Sequence, residues 1–139
     1  MQNNTIFIKS AVYKELIACC LKQPAKEACG ILAGKGKRIE KIFPLVNISD
    51  SPKLCYAIDS REQLKIFKEL RVQELEMVAI YHSHIDSHAY PSQKDIELAS
   101  YPDSSYIIIS LSNPKQPVAR SFRIVEGKII EEELQIVDS

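Results

Sequence analysis

The sequence lacks net charge: eighteen Lys and Arg offset eighteen Asp and Glu. Without a field of one sign, general nucleic-acid binding and attachment to an anionic membrane are poor readings. It also lacks a long apolar run. The longest stretch free of formal charge is the eleven residues 104–114, far short of a bilayer span. No basic segment leads into an apolar one at the start, so a cytoplasmic rather than secreted protein is expected. The four cysteines, Cys19, Cys20, Cys29 and Cys55, contain no C-x-x-C. They are expected as reduced, small buried hydrophobes rather than disulfides. Internal repeats, low-complexity tracts and Gly-, Pro- or Ser-rich linkers are missing as well, which leaves one domain over residues 1–139. What is present is an ordinary globular mix, 139 residues with 45% hydrophobic and 26% charged, enough to close a core without staples.

Hydrophobic periodicity predicts the order β-α-β-β-α-β-α-β-β-β. Residues 5–8 form a short strand, and Ser10 is offered as the N-cap of a helix ending near Lys22, with Val12, Leu16 and Cys20 on one face. Residues 28–33 and 38–43 read as a hairpin around Gly34 and Gly36, followed by a polar loop from Asn47 to Lys53. The capping-box spacing from Asp59 to Glu62 opens a second helix with Leu64, Phe67 and Leu70 inward. Residues 77–81 and 106–111 are apolar runs expected as buried strands, with a helix over 92–99 between them. Residues 118–125 and 129–136 complete the set. The implied fold class is α/β, a mixed β-sheet flanked by helices.

Histidine is scarce, and its placement is informative. His82, His84 and His88 are the only three, and they fall within seven residues. In an extended segment residues i and i+2 point the same way, so His82 and His84 can converge on one point. Asp95 sits one turn into the following helix. Two imidazoles and one carboxylate leave a tetrahedral position open, the ligand count of a catalytic zinc site. A bound Lewis acid of that kind lowers the pKa of its water towards neutrality. Glu27 opens an otherwise apolar strand, where a carboxylate must be paired or functional; the plain alternative is a salt bridge to Lys22 or Lys26. Ser92 and Asp95 also make an ordinary helix start. His88, in mid-loop, is left outside the metal set, and Cys29, which shares strand parity with Glu27, is read as a small buried residue.

Glu27, then His82-Ser83-His84, then seven residues, then Ser92-Gln93-Lys94-Asp95 resembles the E…H-S-H-x7-S-x-x-D signature of JAMM zinc metallopeptidases, the MPN domains. The flanking Glu27-Ala28-Cys29-Gly30-Ile31-Leu32 and Tyr90-Pro91-Ser92 are similar too, and the likeness runs from the first helix to the strand at Tyr106. It implies one zinc ion per chain on His82, His84 and Asp95, with a water as fourth ligand. Glu27 would be the general base and then the acid, and Ser92 would donate to the oxyanion. Ile85 departs from the proline common after the second histidine, at a position that ligates nothing. The resemblance implies hydrolysis of an amide at the C-terminal Gly-Gly tail of a small ubiquitin-like sulfur carrier. Only residues 101–105 separate the Asp95 helix from the next strand, leaving no room for the second insertion of ubiquitin-specific members; residues 47–56 resemble a modest first one. An extended tail is expected to add to a strand edge beside the site. The alternatives are a non-catalytic MPN scaffold and a small-molecule amidase, with monomer or homodimer left open.

Overall fold

Alternating apolar positions build seven strands and three helices within residues 4–138, which the computed structural model describes. In chain order they are β1 (Thr5–Lys9), α1 (Ser10–Leu21), β2 (Cys29–Lys35), β3 (Arg38–Leu45), α2 (Ser60–Val72), β4 (Glu76–His84), α3 (Gln93–Leu98), β5 (Ser105–Ser110), β6 (Val118–Val125) and β7 (Lys128–Val137). The sheet is mixed, as expected, but it curls shut. Its strand order β1-β3-β2-β4-β5-β6-β7 closes into a barrel because β1 pairs with both β3 and β7, parallel to each. Thr5 to Lys9 pair with Glu133 to Val137 on one side, and Phe7 and Ile8 with Arg38 and Ile39 on the other. Closure removes the open edges that a flanked sheet would leave to solvent.

The main core gathers Ile6, Ile8, Leu32, Ile39, Tyr81, Ile107 and Ile109 with Val12, Leu16 and Cys20 of α1. The i, i+4 stripe of α1 is therefore the buried face. Its N-cap is Lys9, which makes no side-chain cap bond, and Ser10 is the first helical residue instead. In α2, Asp59 does cap, accepting from the Arg61 amide at 2.8 Å. Only Leu70 of that helix is fully buried, while Leu64 is 53% exposed. The helix rests its C-terminal half on the barrel, so the inward stripe is shorter than the periodicity implies.

β4 positions the site. It runs between β2 and β5, with His82 opposite Cys29 on one side and Ile108 on the other. Close approach fixes this centre: a Cβ on Gly30 would lie 2.5 Å from the Phe43 carbonyl oxygen and from the Tyr81 ring.

Candidate metal centre and catalytic cleft

Pairing with β2 as far as His82 and with β5 as far as His84 keeps β4 extended three residues beyond the apolar run that announces it. His82 and His84 thus sit two apart on one strand and project together, both nearly buried at 1% and 3% exposure. Asp95 reaches them from α3. There Ser92 and Asp95 form a reciprocal capping box, Ser92 Oγ accepting the Asp95 amide at 3.1 Å and Asp95 Oδ2 accepting the Ser92 amide at 2.9 Å. The cap holds the carboxylate in place, and its oxygens face the imidazoles: Oδ1 lies 3.2 Å from His82 Nε2 and Oδ2 lies 3.0 Å from His84 Nε2.

The donor set fits one small cation. The two Nε2 atoms are 3.2 Å apart, and the three candidate ligand atoms all lie within 4.8 Å of one another. With metal–ligand bonds of about 2.05 Å, the edge of a tetrahedron around zinc is about 3.3 Å. His84 Nδ1 lies 2.9 Å from the His88 carbonyl oxygen, which fixes its proton on Nδ1 and turns the Nε2 lone pair inward. Two lone pairs and a carboxylate converging at such distances repel one another unless a cation or a proton stands between them.

Burial and charge carry the same tension into the proton equilibria. Burial lowers the His82 imidazole below its ordinary range, only partly offset by Asp95. For His84 burial acts in the same sense, but the bonds to Asp95 and to the His88 carbonyl outweigh it and raise the ring. Burial would raise Asp95, yet the hydrogen bonds from both imidazoles win and hold its carboxyl far below the usual carboxylate range. An imidazole donates to Asp95 only when its Nε2 carries a proton, so a proton and a metal ion compete for the same lone pairs.

Glu27 stands beside this group. It is 4% exposed, its Oε1 has no hydrogen-bond partner, and it makes no ion pair with Lys22 or Lys26 among the described residues. Burial pushes its carboxyl up to about 7, His84 pulling it down and Asp95 adding to the rise. The backbone is pinned at both ends, the Glu27 amide donating to Pro52 O at 2.7 Å and its carbonyl accepting from Asn47 Nδ2 at 2.9 Å. One residue on, the Ala28 amide donates to Ser83 Oγ at 2.8 Å, which ties this segment to β4 between the two histidines. Glu27, His84 and Ser92 share an open cleft of about 310 Å³, whose other walls are Lys53 and Leu54 on one loop and Ile85, Asp86 and Ser87 on the next.

All five residues singled out in the sequence are therefore brought together. His88 contributes its carbonyl and keeps its exposed ring outside the donor set. Cys29 is 1% exposed, its thiol facing Leu45 O at 3.8 Å and pushed by burial up to about 12, so it is an inert packing residue. All four cysteines are free. The strand edge expected to receive an extended tail is not that of β4 up to His82, which is paired on both sides because β4 lies between β2 and β5. Two residues went unread in the sequence. Tyr56 stacks on His82 with ring centroids 4.6 Å apart. Asn47, buried at 7%, organises the loop that carries Tyr56. Its Oδ1 accepts the Ser49 and Ala57 amides, each at 3.0 Å, and its Nδ2 also donates to Cys55 O at 3.1 Å. An Asn two residues after a strand signals an Asx turn, but nothing local shows that its amide reaches back to Glu27.

Residues 9–125 match the family model described as "Prokaryotic homologs of the JAB domain". The chain belongs to that family. Among relatives of this JAB-family chain is the CysO-cysteine peptidase of Mycobacterium tuberculosis, 36% identical over 135 residues, covering 96% of this chain and 92% of the relative. A Thermus thermophilus protein named "Probable TtuB-protein conjugate cleaving protease" is 32% identical over 123 residues, 88% of this chain and 78% of the relative. The solution structure of DSY2949 from Desulfitobacterium hafniense superposes with a TM-score of 0.87 at 36% identity, covering 96% of this chain and 94% of that one. A JAB1/MPN domain protein from Archaeoglobus fulgidus shares the fold, with a TM-score of 0.64 at 15% identity and coverage of 97% and 100%. Its named relatives make the JAB domain here a peptidase domain, and no helix among the described residues is long and apolar enough to cross a membrane.

Proposed function

We propose that this JAB-family protein is a cytoplasmic zinc metallopeptidase that hydrolyses an amide bond on the C-terminal glycine of a small ubiquitin-like sulfur carrier. The observation that carries the reading is the convergence of His82 Nε2, His84 Nε2 and Asp95 at 3.0–3.2 Å beside a buried carboxyl with an unpartnered oxygen. His82, His84 and Asp95 would hold the ion. Zinc, when bound, supplies a Lewis acid for the scissile carbonyl and acidifies water at that position.

The remaining work falls to the chain's own groups. Glu27 Oε1, free of hydrogen bonds, takes a proton from the attacking water. The water oxygen joins the carbonyl carbon, the C–N bond breaks, and Glu27 passes the proton to the leaving nitrogen, so that a glycine carboxylate and a free amine result. A carboxyl that titrates near pH 7 can serve in both directions. Ser92 Oγ already accepts the Asp95 amide, so its own proton is available to the carbonyl oxygen as charge builds there. The intact donor set disfavours a non-catalytic scaffold. The likeness to a carrier–cysteine peptidase and to a conjugate-cleaving protease supports a carrier as substrate rather than a small amide. Free thiols suit a reducing compartment.

With both sides of β4 paired through His82, the Gly-Gly tail approaches the donor set across the end of the strand. The absence of side chains on the last two residues lets its backbone approach the donor set. Mass spectrometry of the protein incubated with a carrier–cysteine adduct and with diubiquitin tests the reading. Release of cysteine from the adduct is expected, and cleavage of diubiquitin with the adduct untouched would overturn the choice of substrate.

A further inference from the structure

We propose that Lys53 is a specificity-determining residue that recognises the free carboxylate of a single amino acid as leaving group. The inference rests on the peptidase reading above and narrows it: the scissile bond joins the carrier to an α-amino acid with a free carboxyl, rather than to a lysine side chain of a protein.

The argument starts from where the leaving group must sit. The group that protonates the departing nitrogen has to be within hydrogen-bond reach of it, so the leaving amine occupies the cleft lined by Glu27. Lys53 lines that same cleft, and its place there is built into the backbone. It directly follows Pro52, whose carbonyl accepts the Glu27 amide at 2.7 Å. The loop around it is held by the Asn47 side chain and by the amides of Leu54 and Cys55, both donating to Ser51 O at 3.0 Å. The general base and this ammonium are therefore carried on adjoining, hydrogen-bonded backbone.

Charge makes the second part. Lys53 forms no ion pair or hydrogen bond among the described residues, so its three donors are uncommitted. Asp86, on the second loop that lines the cleft, carries the opposite charge and would repel a carboxylate, favouring the Lys53 loop. In an α-amino acid the carboxylate is one carbon from the nitrogen, so a group whose amine meets Glu27 presents its carboxylate to that wall. An ε-amine linkage places methylenes there, and a peptide-linked residue places a neutral amide; neither gains from the ammonium.

The test compares two carrier adducts, one ending in cysteine with a free carboxylate and one in cysteinamide, in wild type, Lys53→Gln, Lys53→Arg and Asp86→Asn proteins. Wild type should prefer the acid by about fivefold in kcat/KM, the upper worth of an exposed charge pair. Lys53→Gln should abolish that preference through KM and leave the amide within twofold, Lys53→Arg should keep it, and Asp86→Asn should not weaken it. In the Glu27→Gln background, where turnover is slowed by about 10²-fold or more, the acid adduct should bind about fivefold tighter than the amide, and Lys53→Gln should erase the difference. Equal loss on both adducts in Lys53→Gln would make Lys53 a loop-structuring residue and overturn the inference alone. Preference for the amide, or no preference in wild type, would do the same. Hydrolysis of neither adduct by wild type would overturn the peptidase reading and this inference with it.

Discussion

Replacing Glu27 by Gln separates what the carboxyl does for chemistry from what it costs the fold. In the metal-free protein burial holds this carboxyl at about 7 against an ordinary value of 4.5. Between those pH values the unfolded chain has released the proton and the folded chain has kept it, so stability falls as pH rises through the window. At about 1.4 kcal/mol per pH unit, the span from 4.5 to about 7 is worth about 3 kcal/mol above pH 7. Gln keeps the shape and removes the charge. At pH 8 with a chelator present, Glu27→Gln should therefore melt above wild type by roughly 10 °C, at about 3 °C per kcal/mol for a chain of this size. At pH 4, where the carboxyl is protonated in both states, the gap should close. Thermal unfolding followed by circular dichroism at the two pH values reads this directly. The same variant should retain metal and lose activity by about 10²–10⁴-fold. A variant less stable than wild type at pH 8, or a gap that does not change with pH, would refute the idea of an unpaired buried carboxyl held ready as a base.

Other substitutions probe the supports of the site. Ser92→Ala should cost about 1 kcal/mol in unfolding experiments through loss of the cap, and kcat should drop by about 10²-fold through loss of the oxyanion donor. Asn47→Ala leaves the carbonyls of Glu27 and Cys55 and the amides of Ser49 and Ala57 without their partner. It should cost about 2–3 kcal/mol and lower kcat more than it raises KM, with faster hydrogen exchange confined to residues 47–57. Asp95, held below its ordinary value of 3.8, contributes stability present above that pH and lost as pH falls below it. Metal-free Asp95→Asn should therefore show a flatter acid limb than wild type in pH-dependent unfolding.

The local signals in this chain were read more completely than the long-range ones. The α1 stripe, the hairpin at Gly34 to Gly36, and the convergence of His82 and His84 all follow from periods of 3.6 and 2 that act within a few residues. Ser92 and Asp95 were legible for the same reason, since one motif both caps α3 and aims its carboxylate. Barrel closure was not legible: Thr5 pairs with Glu133, far along the chain, and no periodicity encodes which strand a terminal strand will meet. The length of β4 was missed because His-Ser-His looks polar, although the pairing of β2 and β5 buries those residues as deeply as Ile80. Leu64 continued an apolar stripe whose outer end finds no surface to cover it. Asn47 opens the segment that composition marks as a polar loop and Tyr56 lies just beyond it; their contacts to Glu27 and His82 exist only after the strands assemble.

The central claim is that His82, His84 and Asp95 form one catalytic metal site served by Glu27. It is tested most directly by titrating zinc into metal-free protein while following hydrolysis of the carrier–cysteine adduct. Activity should rise from near zero and saturate at one equivalent per chain. His82→Ala and His84→Ala should bind no stoichiometric zinc by elemental analysis and stay inactive throughout. Full activity before any metal is added, or a stoichiometric ion retained by either histidine variant, would contradict the account.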